Sequence, residues 1–423
     1  MILKVLGAGR EVGRAAILLK PGDKAKGTLL DYGVNISTEV PRFPEHVAPR
    51  DLLTVALTHA HLDHSGGIPL LYVSVELPLL TTPLTLSLAE LLVRDFLKIS
   101  KYYVPFEIIE LLSMMRNARI VNLGEAVDIG PYHVEIYSAG HIPGSSMFLV
   151  EVEGLRILYT GDFNLENTCL LRGADMSPFK KADVVIMEAT YASYDHPNRA
   201  LNEAIFIEKI REVVEDDGTV LIPAFAVGRS QEIACVLCKY EIDAPVYLDG
   251  MARYASAIIE EHADTYLRDA SLYRKAISAV SKVTGAKMRR RISRKPGIII
   301  SSAGMLKGGA AVYYMERIME NPKNAVFFVS FQVPDSPGRK VLQEGVFVSP
   351  RKAGKVEARV EWFDFSSHCG RTDLIRAVEL TRSSSTIVVV HSEEKGGKEF
   401  VEYISDKLRR EVLFPRSGET IKL

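Results

Sequence analysis

The sequence predicts an α/β protein built from two domains, one inserted into the other. Three observations carry that reading. The chain has 423 residues, more than one compact core usually holds. Residues 1–190 alternate short apolar runs with turns, as stacked strands do. Beyond 191 the rhythm becomes strand, helix, strand, helix, which argues for a parallel sheet flanked by helices; near 357 the strand-rich style resumes. The expected boundaries are 1–190 with 364–423 for the discontinuous host domain, and 191–363 for the insert.

In order along the host domain, "MILKVLG", "AAILLK", "TLLDYG", "LTVALTH", "HVEIYSAG", "SMFLVEV", "RILYTGDF" and "ADVVIMEA" read as strands. Residues 77–100 and "PFEIIELLSMMRNA" read as helices, because their apolar residues recur at helical spacing. The insert begins with a helix, "LNEAIFIEKIREVVE", and a strand, "TVLIPAFA". There follow "GRSQEIACVLCKYE" (helix), "PVYLDG" (strand), a long helical stretch at 251–283, "GIIISSAG" (strand), "GAAVYYMERIME" (helix) and "AVFFVSFQ" (strand). "TIVVVHSE" returns to the host domain. No repeat or low-complexity segment is evident.

Composition excludes several classes. The chain is 47% apolar and 25% charged, an ordinary globular balance, and its net charge of −1 provides no global attraction for nucleic acid. An anionic partner must therefore be held by a local site. No uninterrupted apolar run has membrane-spanning length, and the first residues lack the layout of a signal peptide. Cys169, Cys235, Cys238 and Cys369 form no paired framework, which fits a reducing cytoplasm. "CVLC" (Cys235, Cys238) sits in an apolar helical pattern and reads as core rather than as a zinc knuckle.

The chain has ten histidines, and "THAHLDHSGG" holds His59, His61 and His64 beside Asp63. "LTVALTH" is a strand ending at His59. Residues two apart in an extended chain face one side, so His59 and His61 can reach one metal ion. Asp63 and His64 follow at a turn into helix and can point to a second. Zinc suits this donor set; manganese or iron fits on geometry. Other candidates stand where apolar strands stop: His141 in "SAGHIPGSS", Asp162 in "LYTGDFN" and His391 in "VVVHSE".

"HAHLDH", followed by "AGHIPGS" and "TGDF", resembles the metallo-β-lactamase superfamily. "IMEATY", "DFSSHCG", "VVVHSE", "IPAFAVGRSQEI" and "SSAGML" narrow the resemblance to its β-CASP nucleases, over nearly the whole chain. It is similar to archaeal and bacterial relatives of the endonuclease subunit of the cleavage and polyadenylation machinery, with RNase J more distant. The resemblance implies an αββα sandwich carrying an inserted β-CASP domain. The catalytic pattern starts at residue 1, so no KH-type domain is expected before it. Two departures occur: Ser392 stands where glycine is usual, and "FQVPDSPGR" differs from the commoner loop motif.

The resemblance further implies that His59, His61 and His141 bind one zinc ion, that Asp63, His64 and His391 bind the other, and that Asp162 bridges both. Asp31 would support the histidine loop; by itself it reads as a turn aspartate before glycine. Glu188 and His368 would form an acid–histidine pair beside the metals. Two dications, less the charges of Asp63, Asp162 and a hydroxide, leave about +1, which attracts a phosphodiester. Metal binding lowers the pKa of water to about 7, supplying hydroxide at neutral pH. His368, held charged by Glu188, would protonate the leaving ribose oxygen; the competing reading is a phosphate-binding donor.

Arg229 and Ser230 at a helix start, and Ser301 and Ser302 at a strand end, are candidate contacts to the RNA backbone. "MRRRISRKP" is a basic run of the kind that is ordinarily solvated surface. The expected activity is hydrolysis of single-stranded RNA, with endonucleolytic and 5′→3′ exonucleolytic modes both open and two zinc ions per chain. A homodimer is compatible with the sequence. Four alternatives stand beside it. A thioester or lactone hydrolase of the same superfamily would not need the insert or His368. A DNA-directed β-CASP nuclease differs only in substrate. A non-catalytic RNA-binding subunit would lack ligands that are all present here. Flavodiiron chemistry would want a carboxylate at His61.

Overall fold

In the computed structural model, which describes residues 1–37, 40–100, 104–333 and 335–423, the apolar runs of the first 190 residues become two mixed sheets. The first runs, edge to edge, Thr420–Lys422, Ile2–Gly7, Ala16–Lys20, Gly27–Leu30, Leu52–Ala56, Leu79–Thr81 and Ala118–Ile120. The second runs Val412–Leu413, Thr386–Val390, Val184–Glu188, Leu155–Tyr159, Ser146–Val152, Tyr132–Ser138 and Ala126–Ile129. Leu3, Val5, Ile17, Phe148, Val150 and Ile186 meet in one buried core shared by the two sheets. Each such side chain contributes roughly 1.5–3 kcal/mol by leaving water. Helices Arg371–Leu380 and Glu394–Leu408 cover the far face of the second sheet through Leu374, Val378, Phe400 and Ile404. The α/β sandwich expected from the sequence is thus present.

Strand Arg359–Trp362 closes a third, six-stranded sheet with the order Ser281–Lys282, Val246–Asp249, Gly297–Ser301, Thr219–Pro223, Ala325–Phe328, Arg359–Trp362. Every pairing in it is parallel. Its central strands, Gly297–Ser301, Thr219–Pro223 and Ala325–Phe328, are buried and largely apolar along their whole length, as covered parallel strands are. By contacts the chain divides into two compact units. One comprises Met1–Asn167, Arg172–Asp195 and Ser367–Leu423; the other comprises Thr168–Leu171 and His196–Ser366.

Two local expectations need correction. Residues 77–100 are not one helix: Leu79–Thr81 pairs parallel with Leu52–Ala56, and the helix is Pro83–Ser100. The apolar run is satisfied by the sheet, and proline is well placed to open a helix, where no N–H is needed. The stretch 251–283 is likewise divided into Ala252–Glu261, Ala263–Tyr266, Ala270–Ala279 and the strand Ser281–Lys282. Asp269 restarts the chain by accepting from Leu272 N as an N-cap. Among the described residues no helix is long and apolar enough to cross a membrane.

Candidate metal centre

The first unit gathers its histidines at strand ends. The Leu52–Ala56 strand leads to His59 and His61; the short helix Leu62–Ser65 carries Asp63 and His64. Backbone bonds pin this loop: Ala15 N donates to Asp63 O at 2.7 Å, Tyr32 N to His64 O at 2.9 Å and Val34 N to Leu62 O at 2.8 Å. Gly33 permits this approach, since a Cβ there would lie 1.7 Å from Asp63 O. Asp162 follows the Leu155–Tyr159 strand across Gly161, whose φ of +51° suits glycine. His391 follows the Thr386–Val390 strand and is tied by His391 N to Ala8 O at 2.7 Å.

Donor atoms converge in two groups. His59, His61, His141 and Asp162 bring one ligand atom each within 4.8 Å of one another, as do Asp63, His64 and His391. Asp162 faces both. Its Oδ2 lies 3.5 Å from His59 Nε2 and 3.7 Å from His141 Nε2, while Oδ1 lies 3.3 Å from His64 Nε2 and from His391 Nδ1. The carboxylate thus turns one oxygen toward each group.

The surrounding hydrogen bonds decide which ring nitrogens keep a lone pair. Asp31 accepts four: from Thr58 N and Thr58 Oγ1 at 2.8 Å each, from His64 Nδ1 at 2.7 Å and from Tyr159 OH at 3.0 Å. The His64 proton is therefore on Nδ1 and its Nε2 is free to ligate. Thr58 spends its only proton on Asp31, so its Oγ1 accepts from His59 Nδ1 at 3.1 Å, leaving His59 Nε2 with its lone pair. His141 Nδ1 donates to Ser367 O at 2.8 Å. Its Nε2 then faces His61 Nδ1 at 3.2 Å. The Thr190 hydroxyl donates to His391 O and accepts from His391 Nδ1, both at 3.2 Å, which leaves Nε2, 3.4 Å from Asp63 Oδ2.

The charge balance fits a cation. Asp31, Asp162 and Glu188 are buried, and among the described residues no lysine or arginine pairs with them or with Asp63. Among the described residues, buried His59 Nε2, His64 Nε2, Asp162 Oδ1 and His391 Nε2 find no hydrogen-bond partner. Orphaned polar atoms of this kind cost about 1–3 kcal/mol each unless something occupies the space. Burial, reinforced by neighbouring imidazoles, holds His59 and His141 well below the usual histidine range, which keeps them neutral, the form in which an imidazole can ligate a metal. Burial also opposes charge on His64, but Asp162 and Asp31 outweigh it and push its pKa up. The carboxylates thus ask for positive charge where the imidazole lone pairs converge.

Beside this set, His368 Nδ1 donates to Glu188 Oε1 at 2.7 Å. Glu188 also accepts from Phe163 N and Thr190 N at 3.1 Å each. These bonds commit Glu188 to His368 and the backbone, although it too lies within ligand distance of Asp162 and His391. Burial opposes charge on His368; Glu188 and Asp162 more than compensate, and its pKa rises to about 9. The His368 ring stands 4.5 Å from that of His141, centroid to centroid.

The remaining candidates lie in the second unit. Arg229 opens the helix Arg229–Lys239 and is buried. Ser230 Oγ donates to Phe225 O at 2.7 Å, Ser301 Oγ donates to Ser302 O at 3.2 Å, and Ser302 Oγ accepts from Ala252 N at 3.2 Å. These hydroxyls therefore also serve their own loops. Pro334, within the departing "FQVPDSPGR" loop, lies outside the described residues. Sequence reasoning missed Thr58 and Thr190, which bond the rings of His59 and His391, Tyr159, which donates to Asp31, and the His196–Asp364 pair at 2.7 Å in the second unit. A polar tip inside an apolar strand, as in "RILYTG", was the available signal for Tyr159. Cys169, Glu203 and Glu232 also cluster. Arg199 bonds both carboxylates and Lys239 Nζ lies 2.7 Å from Glu203 Oε2, so that trio is already neutralised. Burial lifts the Cys169 thiol to about 12, which removes the thiolate a metal would need.

Comparison with known proteins bears on this geometry. The Metallo-beta-lactamase superfamily profile matches residues 10–207, the Beta-Casp domain residues 230–341, and the Zn-dependent metallo-hydrolase RNA specificity domain residues 354–415. The RNase aCSPSF2 of Saccharolobus solfataricus is 40% identical over 423 residues, which is 100% of this chain and 85% of that protein. The chain belongs to the β-CASP family of the metallo-β-lactamase superfamily. This β-CASP protein is also 36% identical over 398 residues to the Probable RNase MJ4 of Methanocaldococcus jannaschii, covering 92% of each. It is 34% identical over 465 residues to the Transcription termination factor FttA of Pyrococcus abyssi, covering 99% of this chain and 70% of that one. A crystal structure of a protein of unknown function from Enterococcus faecalis superposes with a TM-score of 0.64 at 16% identity, covering 100% of this chain and 99% of that one, a likeness of fold. The converging imidazoles and carboxylates of the β-CASP protein make a metal its cofactor.

Proposed function

We propose that this β-CASP protein is a zinc-dependent ribonuclease that hydrolyses phosphodiester bonds of single-stranded RNA. The observation that carries the proposal is the juxtaposition of two donor groups sharing Asp162 with the ring of His368, an acid–histidine pair whose partner is Glu188. Relatives named as RNases support the substrate class. His59 Nε2, His61 Nδ1 and His141 Nε2 would hold one zinc ion; Asp63, His64 Nε2 and His391 Nε2 would hold the second; Asp162 would serve both. When bound, zinc lowers the pKa of water to about 7 and offsets phosphate charge.

The chain's own residues do the rest. Asp31, Thr58 and Ser367 keep three imidazoles in the ligating tautomer. His368 holds a proton on Nδ1 against Glu188 and presents Nε2–H; from there it can donate to the departing ribose oxygen. A positioned general acid contributes typically ~10²–10⁴-fold. Arg229, Ser230, Ser301 and Ser302 are proposed to meet the RNA backbone. We place residues 1–190 and 364–423 in the metal-holding domain and 191–363 in the β-CASP domain. Cytoplasmic action as a homodimer belongs to the same proposal, to be checked by cell fractionation and light scattering.

The direct test is digestion of a 5′-labelled RNA and of a matched DNA by zinc-loaded protein, with a thioester as competing substrate. RNA cleavage that His368→Ala abolishes while metal content stays unchanged is expected. Thioester turnover without RNA cleavage would overturn the assignment. The ladder of products separates endonucleolytic cuts from stepwise 5′→3′ removal.

A further inference from the structure

We propose that the outward face of the helix Ala286–Ile292, with Lys282, Arg294 and Lys295 beside it, is a docking surface for the phosphate backbone of single-stranded RNA, sharing no residue with the metal centre. The choice of RNA as partner rests on the ribonuclease reading. The surface itself rests on charge and geometry.

Residues 281–296 contain Lys282, Lys287, Arg289, Arg290, Arg291, Arg294 and Lys295, and no Asp or Glu. Since the chain as a whole carries −1, this concentration is local. Arg289 is consumed as an anchor: it forks onto the buried carboxylate of Asp249 at 2.6 and 2.9 Å, where Tyr314 OH also donates at 2.7 Å. The other six are solvent-exposed. Among the described residues none of the six enters an ion pair, whereas cations elsewhere on this unit do, as in Lys209–Glu212, Arg274–Asp264 and Lys323–Asp216.

Helical geometry explains the sorting. At about 100° per residue, Arg289 and Ile292 fall on one side, and Lys287, Arg290 and Arg291 fall on the opposite side. Ile292 is buried at 1% exposure, so the anchor side faces the protein and the three cations face water. Arg294 follows just past the last turn. Like charges within a turn repel by a few tenths of a kcal/mol per pair, a cost that a polyanion relieves. Lysine on the edge strand Ser281–Lys282 has an ordinary explanation, since it blunts strand pairing. The arginines on the helix do not share it. Guanidinium is the side chain suited to phosphate, by its fork of donors and weak hydration.

The test measures binding of a fluorescent oligouridylate to the zinc-loaded full chain over a range of salt. Native protein is compared with R290Q/R291Q/R294Q and with a control triple on the other unit, K24Q/K26Q/K422Q, which changes net charge equally. Three lost phosphate contacts make the log K against log salt slope shallower by about 2, and binding at low salt weaker by about tenfold, at roughly 0.7 per contact for a single strand. The control keeps the native slope, and both triples keep the native rate on bis(p-nitrophenyl) phosphate. An unchanged slope in the arginine triple, or an equal change in the control, overturns the surface while leaving the ribonuclease reading intact. Loss of polyglutamate binding with RNA binding retained also overturns it, in favour of an acidic protein. Native protein that neither binds nor cuts RNA overturns both.

Discussion

Replacing Glu188 with glutamine removes a negative charge from a buried position and keeps the shape of the side chain. His368 is the group that responds. Its pKa stands at about 9 because Glu188 and Asp162 outweigh burial, which on its own lowers it. Without the Glu188 charge it falls back toward the unperturbed value of about 6.5. A raised histidine is protonated below its folded pKa and loses the proton as pH rises through it. At pH 8 the protonated fraction therefore falls from about nine-tenths to about three in a hundred, a loss of roughly thirty-fold in kcat if His368 is the proton donor. At pH 5.5 both proteins are mostly protonated and differ by less than about twofold. Bound cations lower both midpoints together, so the separation of the two pH profiles is the quantity to read. The assay is kcat on a short RNA across pH, with metal content measured in parallel. The glutamine side chain has one oxygen to offer the Phe163 and Thr190 N–H groups, so some fall in melting temperature accompanies the change. A loss that is the same at every pH, or that tracks loss of zinc, refutes the role given to His368.

Other perturbations separate the parts of the centre. Asp162→Ala removes the carboxylate that both donor groups share and is expected to abolish tight binding of both ions, whereas His391→Ala keeps one; calorimetric stoichiometry distinguishes them, and two retained ions in Asp162→Ala would contradict the bridge. Gly33→Ala puts a Cβ 1.7 Å from Asp63 O and is expected to displace the histidine loop; native zinc content in a soluble variant would count against that constraint. Tyr159→Phe leaves Asp31 with three donors and is expected to weaken zinc at the His64 side by about tenfold, with little change in apo-protein melting. Chelation leaves the converging ring nitrogens and Asp162 unpaired, so melting temperature should drop and recover on adding zinc; about 4 kcal/mol is regained at a thousandfold excess over Kd. Identical melting with and without zinc would show that no ion is bound by the folded state.

Much of this was legible along the chain. The strands of the host domain stand out because their apolar runs are short and bounded by turns, and His59, His61, Asp162 and His391 are visible because each ends such a run. The strand Leu79–Thr81 was hidden, since so short a strand before a helix looks like part of it until a neighbouring strand claims its backbone. The helix breaks within 251–283 were hidden for the same reason: propensity is continuous there, and tertiary packing decides where the chain turns.

Residue order alone determined the class of fold and the kinds of donor atoms available, because periodicity and ligand chemistry are properties of neighbouring residues. Only the folded chain decided which nitrogen of each imidazole keeps its lone pair. That choice depends on Asp31, Thr58, Thr190 and the Ser367 carbonyl, which reach the rings across as many as 226 positions of sequence. The same holds for Arg289 and its neighbours: adjacent and chemically alike, they are divided into an anchor and a free surface by the location of one buried carboxylate, Asp249.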